Sequence, residues 1–171
     1  IAFEDELTGL LNRRGWGEYV GAMHDTKREN GMDENIYIML IDIDNFKSVN
    51  DSYGHPVGDQ AILHVTKIVR SNVRSTDIAG RLGGDEIAVA LFGADVEDAY
   101  DKADEIRRSV AMQPFMVGDE EVRITISVGI GVNLEEDVEP IGSNSYKTAD
   151  DAMYSSKAAS KNRVSVHPDA A

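Results

Sequence analysis

The chain has 171 residues, 42% of them hydrophobic, with 31 acidic against 17 basic side chains and a net charge of −14. That length suits about one domain with a sizeable core. The charge disfavours duplex nucleic acid and acidic lipid as partners, the lack of cysteine excludes disulfide and thiol chemistry and fits a reducing compartment, and no apolar run approaches the ~20 residues of a membrane span.

No signal peptide is legible, and the start on Ile1 reads as a piece excised from a longer protein. LTGLLNRRGWGEYVGAMHDTKREN (7–30) predicts a helix with a loose start, followed by a polar connection. IYIMLIDID (36–44) predicts a buried strand ending in carboxylates. FKSVNDSYGHPVGD (46–59) is turn-rich, and Ala61, Ile62, Val65, Ile68 and Val69 then follow helical spacing. DIAGRL and IAVALF flank Gly83-Gly84 as a hairpin. Val96, Ala99, Ala103, Ile106 and Val110 mark an amphipathic helix. FMVGDEEVRITISVGIGV (115–132) predicts a second hairpin, LEEDVEPIGSNS (134–145) a disordered loop, TADDAMYSSKAASKN (148–162) a helix and RVSVH a closing strand.

Helices mixed with hairpins argue for an α+β sheet covered on one face. Strict βαβ alternation is absent, as are GxGxxG and GxxxxGK[ST].

The chemistry concentrates in carboxylates. Asp42 and Asp44 lie two apart on a strand, so they point the same way at the end of a buried run. Burying unpaired carboxylates costs several kcal/mol per ion. Lys47 and Arg81 are candidate counter-charges, and a hard dication fits as well, since Mg²⁺ takes one or two carboxylates plus substrate phosphates. If the hairpin lies beside the first strand, Asp85 meets Asp42. Gly83-Gly84 can adopt φ > 0 and admits a ligand close to the backbone. A solvated acidic hairpin is the alternative reading of the same residues.

Together these residues resemble the GGDEF family of diguanylate cyclases. DELTGLLNRR (5–14) is similar to the family's opening motif, IDIDNFKSVNDSYGHPVGD (41–59) to its nucleotide-binding stretch, RSTDIAGRLGGDEI (74–87) to its RxxD and name-giving motifs, and YSSKAASKN (154–162) to its closing helix. The resemblance implies a central, mostly antiparallel sheet with surrounding helices, like the nucleotidyl cyclase and polymerase palm (ferredoxin-like) core. It implies a reaction that joins two GTP molecules into cyclic di-GMP and releases pyrophosphate. In that reading Asp42, the Ile43 carbonyl and Asp85 hold Mg²⁺ (or Mn²⁺). Asp85 accepts the proton of the attacking 3′-hydroxyl, Glu86 supports the site and Lys47 neutralises phosphate charge. Asn50 and Asp59 read guanine, His55, Gly83 and Gly84 line the nucleotide, and Lys157 and Lys161 contact the terminal phosphates. Arg74 and Asp77 form an inhibitory site for the product.

Taken singly, Asn50 can be a turn former, Asp59 a helix-start residue, His55 a loop residue, and Lys157 and Lys161 solvated charges on one helix face. His24, His64 and His167 receive no role. The resemblance implies that two domains, each holding one GTP, meet face to face as a homodimer, and a region N-terminal to this piece is expected to hold them together. The resemblance further implies a cytoplasmic domain without nucleic-acid or membrane contact, in a protein that could be tethered to a membrane. Departures from the family pattern are Ile87 for its Phe, Ser160 and Lys161 for its Gly and Arg, and Glu105 where a second inhibitory Arg often stands. Lys keeps the charge but loses the planar fork. A non-catalytic module that binds GTP or cyclic di-GMP is the alternative reading, with a polymerase-like palm third.

Overall fold

The computed structural model describes residues 2–32, 35–133 and 144–171. In chain order these form β1 (Leu11–Asn12), α1 (Arg13–Glu29), β2 (Ile36–Ile43), α2 (Phe46–Tyr53), α3 (His55–Asn72), β3 (Ile78–Arg81), β4 (Glu86–Leu91), α4 (Val96–Met112), β5 (Phe115–Val117), β6 (Glu120–Val122), β7 (Ile126–Asn133), α5 (Asn144–Ala158) and β8 (Val164–Val166). A 3₁₀ turn closes the chain at Pro168–Ala170.

Six strands make the central sheet in the order β1-β3-β4-β2-β7-β8. The three inner pairings are antiparallel and the two outer ones parallel. The fold is therefore α+β and mostly antiparallel, as expected.

Strand parity sorts the core. Tyr37, Met39, Ile41 and Ile43 of β2 face α3 and α4, packing with Ala61, Val65, Ala103 and Ile106. Ile36, Ile38 and Leu40 face the opposite way, with Trp16 and Val20 of α1 and Ala149 and Met153 of α5. Helices thus cover both faces, which corrects the one-face expectation. Both faces of β2 are apolar, so the strand reads as a continuous hydrophobic run and its parity cannot name an exposed side.

Other boundaries differ too. The first helix begins at Arg13, where the Asn12 side chain accepts from the Gly15 N–H. Leu11–Asn12 instead pair in parallel with β3. The turn-rich stretch 46–59 is helical, broken only at Gly54 (φ 90°), and Pro56 suits the first turn of α3. The second hairpin divides: β5 and β6 form a separate two-stranded sheet, while β7 joins the central one. The last helix starts earlier than predicted and ends at Ala158. Of the loop expected over 134–145, residues 134–143 lie outside the described residues.

Gly129 sets how close α5 approaches the sheet. A Cβ there would lie 2.1 Å from the Ala149 carbonyl oxygen and 2.2 Å from the Met153 nitrogen. The backbone of α5 therefore rests directly on β7, carrying its side chains to the end of β2.

Candidate functional site

Parity and register bring the acids together. Asp42 follows Leu40 on the α1/α5 face of β2 and pairs in register with Glu86, the first residue of β4. Asp85 precedes Glu86, and its carboxylate comes within hydrogen-bonding reach of Asp42. Burial, and then the Asp85 carboxylate, push the Asp42 pKa up to about 7. Asp42 Oδ1 is buried and has no hydrogen-bond partner.

Asp44 points the same way but is differently provided for. It is 3% exposed and accepts from Thr125 Oγ1 (2.7 Å), Ser127 Oγ (2.6 Å) and the Asn162 N–H (3.0 Å). Lys157 Nζ spans the pair, 3.1 Å from Asp42 Oδ2 and 3.4 Å from Asp44 Oδ1. Burial pulls the Lys157 pKa down, but Asp42 and Asp44 outweigh it and hold the ammonium above its ordinary value.

Glu86 is tied to two helices. Tyr146 Oη donates to its Oε1 at 2.9 Å, and Arg13 Nη2 lies 3.8 Å from the same oxygen. Burial raises the Glu86 pKa against that hydrogen bond, and the Asp42 charge raises it further. The Arg13 guanidinium also sits over the Tyr146 ring, 5.4 Å from its centre.

The Gly83-Gly84 turn is held from within. The Leu82 N–H donates to the Glu86 carbonyl, closing the loop. Arg13 Nε donates to the Leu82 carbonyl (3.0 Å), and Arg81 donates to the Gly83 and Gly84 carbonyls (3.2 and 2.7 Å). Arg81 also pairs with Asp5 at 3.1 Å. Against the upward pull of burial, the Thr8 hydroxyl and amide and then Arg81 keep the Asp5 carboxyl below its ordinary range.

Neither glycine has positive φ, so the expected left-handed turn is not what they supply. A Cβ on Gly84 would meet nothing within 4 Å, and one on Gly83 only the Glu86 Cβ at 3.9 Å. The chain itself does not require glycine here, whereas a ligand lying on the turn would.

A second group forms where α2 crosses α3. A Cβ on Gly58 would lie 1.9 Å from Asn50 Oδ1, so Asn50 packs on the backbone next to Asp59. That oxygen is also buried without a partner. His55 opens α3 and is exposed, as are Asp59 and Lys47. Helix α2 joins the two groups. Its first turn carries Lys47 just past the acids, and Asn50 lies about 4.5 Å further along its axis at 1.5 Å per residue. Lys161 is not on the face of α5: it lies beyond the helix end with φ 61°, and its Nζ donates to Asn45 Oδ1 at 2.6 Å. Arg74 and Asp77 stand apart, at the opposite end of β3. There the Arg74 N–H donates to Asp77 Oδ2 at 2.8 Å.

The family model described as "Diguanylate cyclase, GGDEF domain" matches residues 2–163. The chain belongs to the GGDEF family. It is 36% identical over 168 residues to the response regulator PleD of Caulobacter vibrioides, covering 96% of this chain and 36% of that protein. It is also 36% identical over 172 residues to the probable diguanylate cyclase DgcT of Escherichia coli, with coverages of 97% and 36%. The chain thus spans about a third of the length of these relatives. Among solved structures, the GGDEF domain of DgcB from Caulobacter crescentus in complex with c-di-GMP superposes with a TM-score of 0.88 at 29% identity, covering 98% and 94% of the two chains.

Seen as a GGDEF domain, the molecule keeps Ile87 in the core at 1% exposure, so that departure from the family's Phe is absorbed. Sequence reasoning missed Arg13, Tyr146 and Asp5 as individuals. Arg13 and Asp5 lay inside a recognised motif, but Tyr146 carried no signal, because it precedes the predicted helix. Among the described residues no cluster of three or more His, Cys, Asp or Glu could hold a metal. Two carboxylates, one with an orphaned buried oxygen, nonetheless suit a hard dication whose other ligands come with a phosphate substrate. No helix among the described residues is long and apolar enough to cross a membrane.

Proposed function

We propose that residues 1–171 form one GGDEF domain that acts as a diguanylate cyclase, joining two GTP molecules into cyclic di-GMP with release of pyrophosphate. The observation that carries this reading is the Asp42–Asp85 pair with its unpartnered Asp42 Oδ1, set beside a glycine turn open to a ligand. Asp42, the Ile43 carbonyl and Asp85 would hold Mg²⁺. A bound dication there offsets charge on the phosphates and on the attacking oxygen.

The chain's own residues do the rest. Asp85 would take the proton of a 3′-hydroxyl. Tyr146 and Arg13 fix the Glu86 carboxylate beside it. Lys47, Lys157 and Lys161 bring three ammonium groups to the N-terminal end of α2, where phosphates would lie. Asn50 Oδ1 and Asp59 offer acceptors to the N–H groups of guanine, and His55 flanks them. A site holding one GTP needs a second domain to supply the other, so the active unit is a face-to-face homodimer. Arg74, whose guanidinium can fork onto guanine O6 and N7, and Asp77 would bind the product and restrain the enzyme. DgcB, bound to c-di-GMP, is in keeping with a product-binding role for this fold.

The test is incubation of the concentrated domain with GTP and Mg²⁺, followed by mass spectrometry for cyclic di-GMP. Wild type should form it, Asp85→Ala should not, and ATP should not substitute for GTP. Binding of GTP without turnover at any protein concentration would replace the cyclase reading with a non-catalytic binding module.

A further inference from the structure

Lys157 was expected at the terminal phosphates, yet its ammonium lies on Asp42, a carboxylate assigned to the metal, and on its neighbour Asp44. Asp44 cannot release it easily. That carboxylate is buried and fixed by two hydroxyls and a backbone N–H, so it stays where it is and holds Lys157 close. The side chain leaves the last turn of α5, whose backbone is seated on β7 at Gly129. The ammonium at its far end is shared between the two acids and covers Asp42 Oδ2 at 3.1 Å.

An ammonium and a dication on one carboxylate repel each other across a few ångströms of partly dry protein, where screening is weak. A nucleoside triphosphate removes the conflict. Its oxygens give the ammonium a new anion within reach and give the metal further ligands. The Lys157 ammonium can then exchange Asp42 for a phosphate while keeping its contact with Asp44.

We propose that Lys157 is the resident cation of this site, and that the site takes a divalent metal as the metal–nucleoside triphosphate complex rather than as the free ion. This rests on the metal reading above. By linkage, the nucleotide must then tighten metal binding by the same factor as the metal tightens the nucleotide.

The test compares wild type with Lys157→Met, which keeps the stem and removes the charge, using Mn²⁺ alone as the probe. Free and bound Mn²⁺ are read by electron paramagnetic resonance, without nucleotide and then with a GTP analogue that cannot be cyclised. Thermal melts check that the variant is folded, and Lys157→Gln serves if it is not. Wild type should bind Mn²⁺ weakly alone and far better with the analogue. Lys157→Met should bind Mn²⁺ alone about tenfold tighter or more, within the range of coupling between sites, and adding Asp85→Ala should abolish that gain. Equal or weaker binding of Mn²⁺ alone by the Lys157 variants, with analogue-dependent binding intact in wild type, would overturn the inference and leave the cyclase reading standing. Failure of wild type to bind Mn²⁺ even with the analogue would overturn both.

Discussion

Replacing Asp42 with Asn should make the metal-free domain more stable at alkaline pH and leave it nearly unchanged in acid. Burial and the Asp85 carboxylate raise Asp42 from 3.8 to about 7. Between those values the folded chain retains a proton that the unfolded chain has already lost. Rising pH therefore costs the folded state throughout this window, and the cost is complete above about 7. At about 1.4 kcal/mol per pKa unit the full window is worth about 4 kcal/mol. Asp42 is 20% exposed at its side chain, so water and its salt screen part of this, and a measured effect of about 2–4 kcal/mol is expected. For a chain of this size that is roughly 5–15 °C in Tm. The assay is thermal unfolding of both proteins with chelator present, from about pH 4 to about pH 8. The two should melt together at the acid end and separate as pH rises, with the Asp42→Asn variant the higher. A gap that does not change with pH, or a variant less stable at the alkaline end, would refute the reasoning. In the latter case the Lys157 ion pair outweighs burial and Asp85 together.

Gly84→Ala should fold normally, changing stability by less than about 1 kcal/mol, because its φ is ordinary and the space is open. Calorimetry should still find GTP binding weakened several-fold. Gly129→Ala should cost more than about 4 kcal/mol, read by urea denaturation, because its Cβ meets the α5 backbone and not a movable side chain. Asp44→Ala should cost about 3–5 kcal/mol by the same assay, since it leaves the buried Ser127 hydroxyl, the Thr125 hydroxyl and the Asn162 N–H without their acceptor and takes one of two carboxylates from Lys157.

Patterns with a short period were legible in the sequence. The run from Ile36 onward, the hairpin about Gly83-Gly84 and the apolar stripe of α4 all follow from local spacing. Helix α2 was not. Asn45, Asn50, Asp51, Ser52 and Gly54 are all turn formers, and only packing against α3 decides that residues 46–53 are helical. The acids of the site could be nominated from sequence, and the roles of most residues came through the family resemblance. Their partners could not be found that way. Asp5 and Arg81 are 76 residues apart, Tyr146 and Glu86 60, and Lys157 and Asp44 113. No local rule reaches across such separations. Lys157 and Lys161 looked alike as neighbours on one helical face, yet one lies on the strand-end acids and the other past the helix end on Asn45.

The arginines that grip the glycine turn bear on how a polyanion reaches an acidic molecule. No cis peptide occurs among the described residues. Each carbonyl turned toward Arg13 or Arg81 therefore sends the next N–H the opposite way. The amides of Gly83, Gly84 and Asp85 face away from their guanidiniums, and the turn presents the positive ends of peptide dipoles. Such a field is strong at contact and fades within a few ångströms, whereas the net charge of −14 is felt to about the Debye length, ~10 Å at 0.1 M salt. An approaching triphosphate is thus repelled at a distance and attracted at close range. Encounter should quicken as salt rises, the reverse of a basic phosphate-binding protein, and a nucleotide that arrives already neutralised by its metal should meet the smaller barrier.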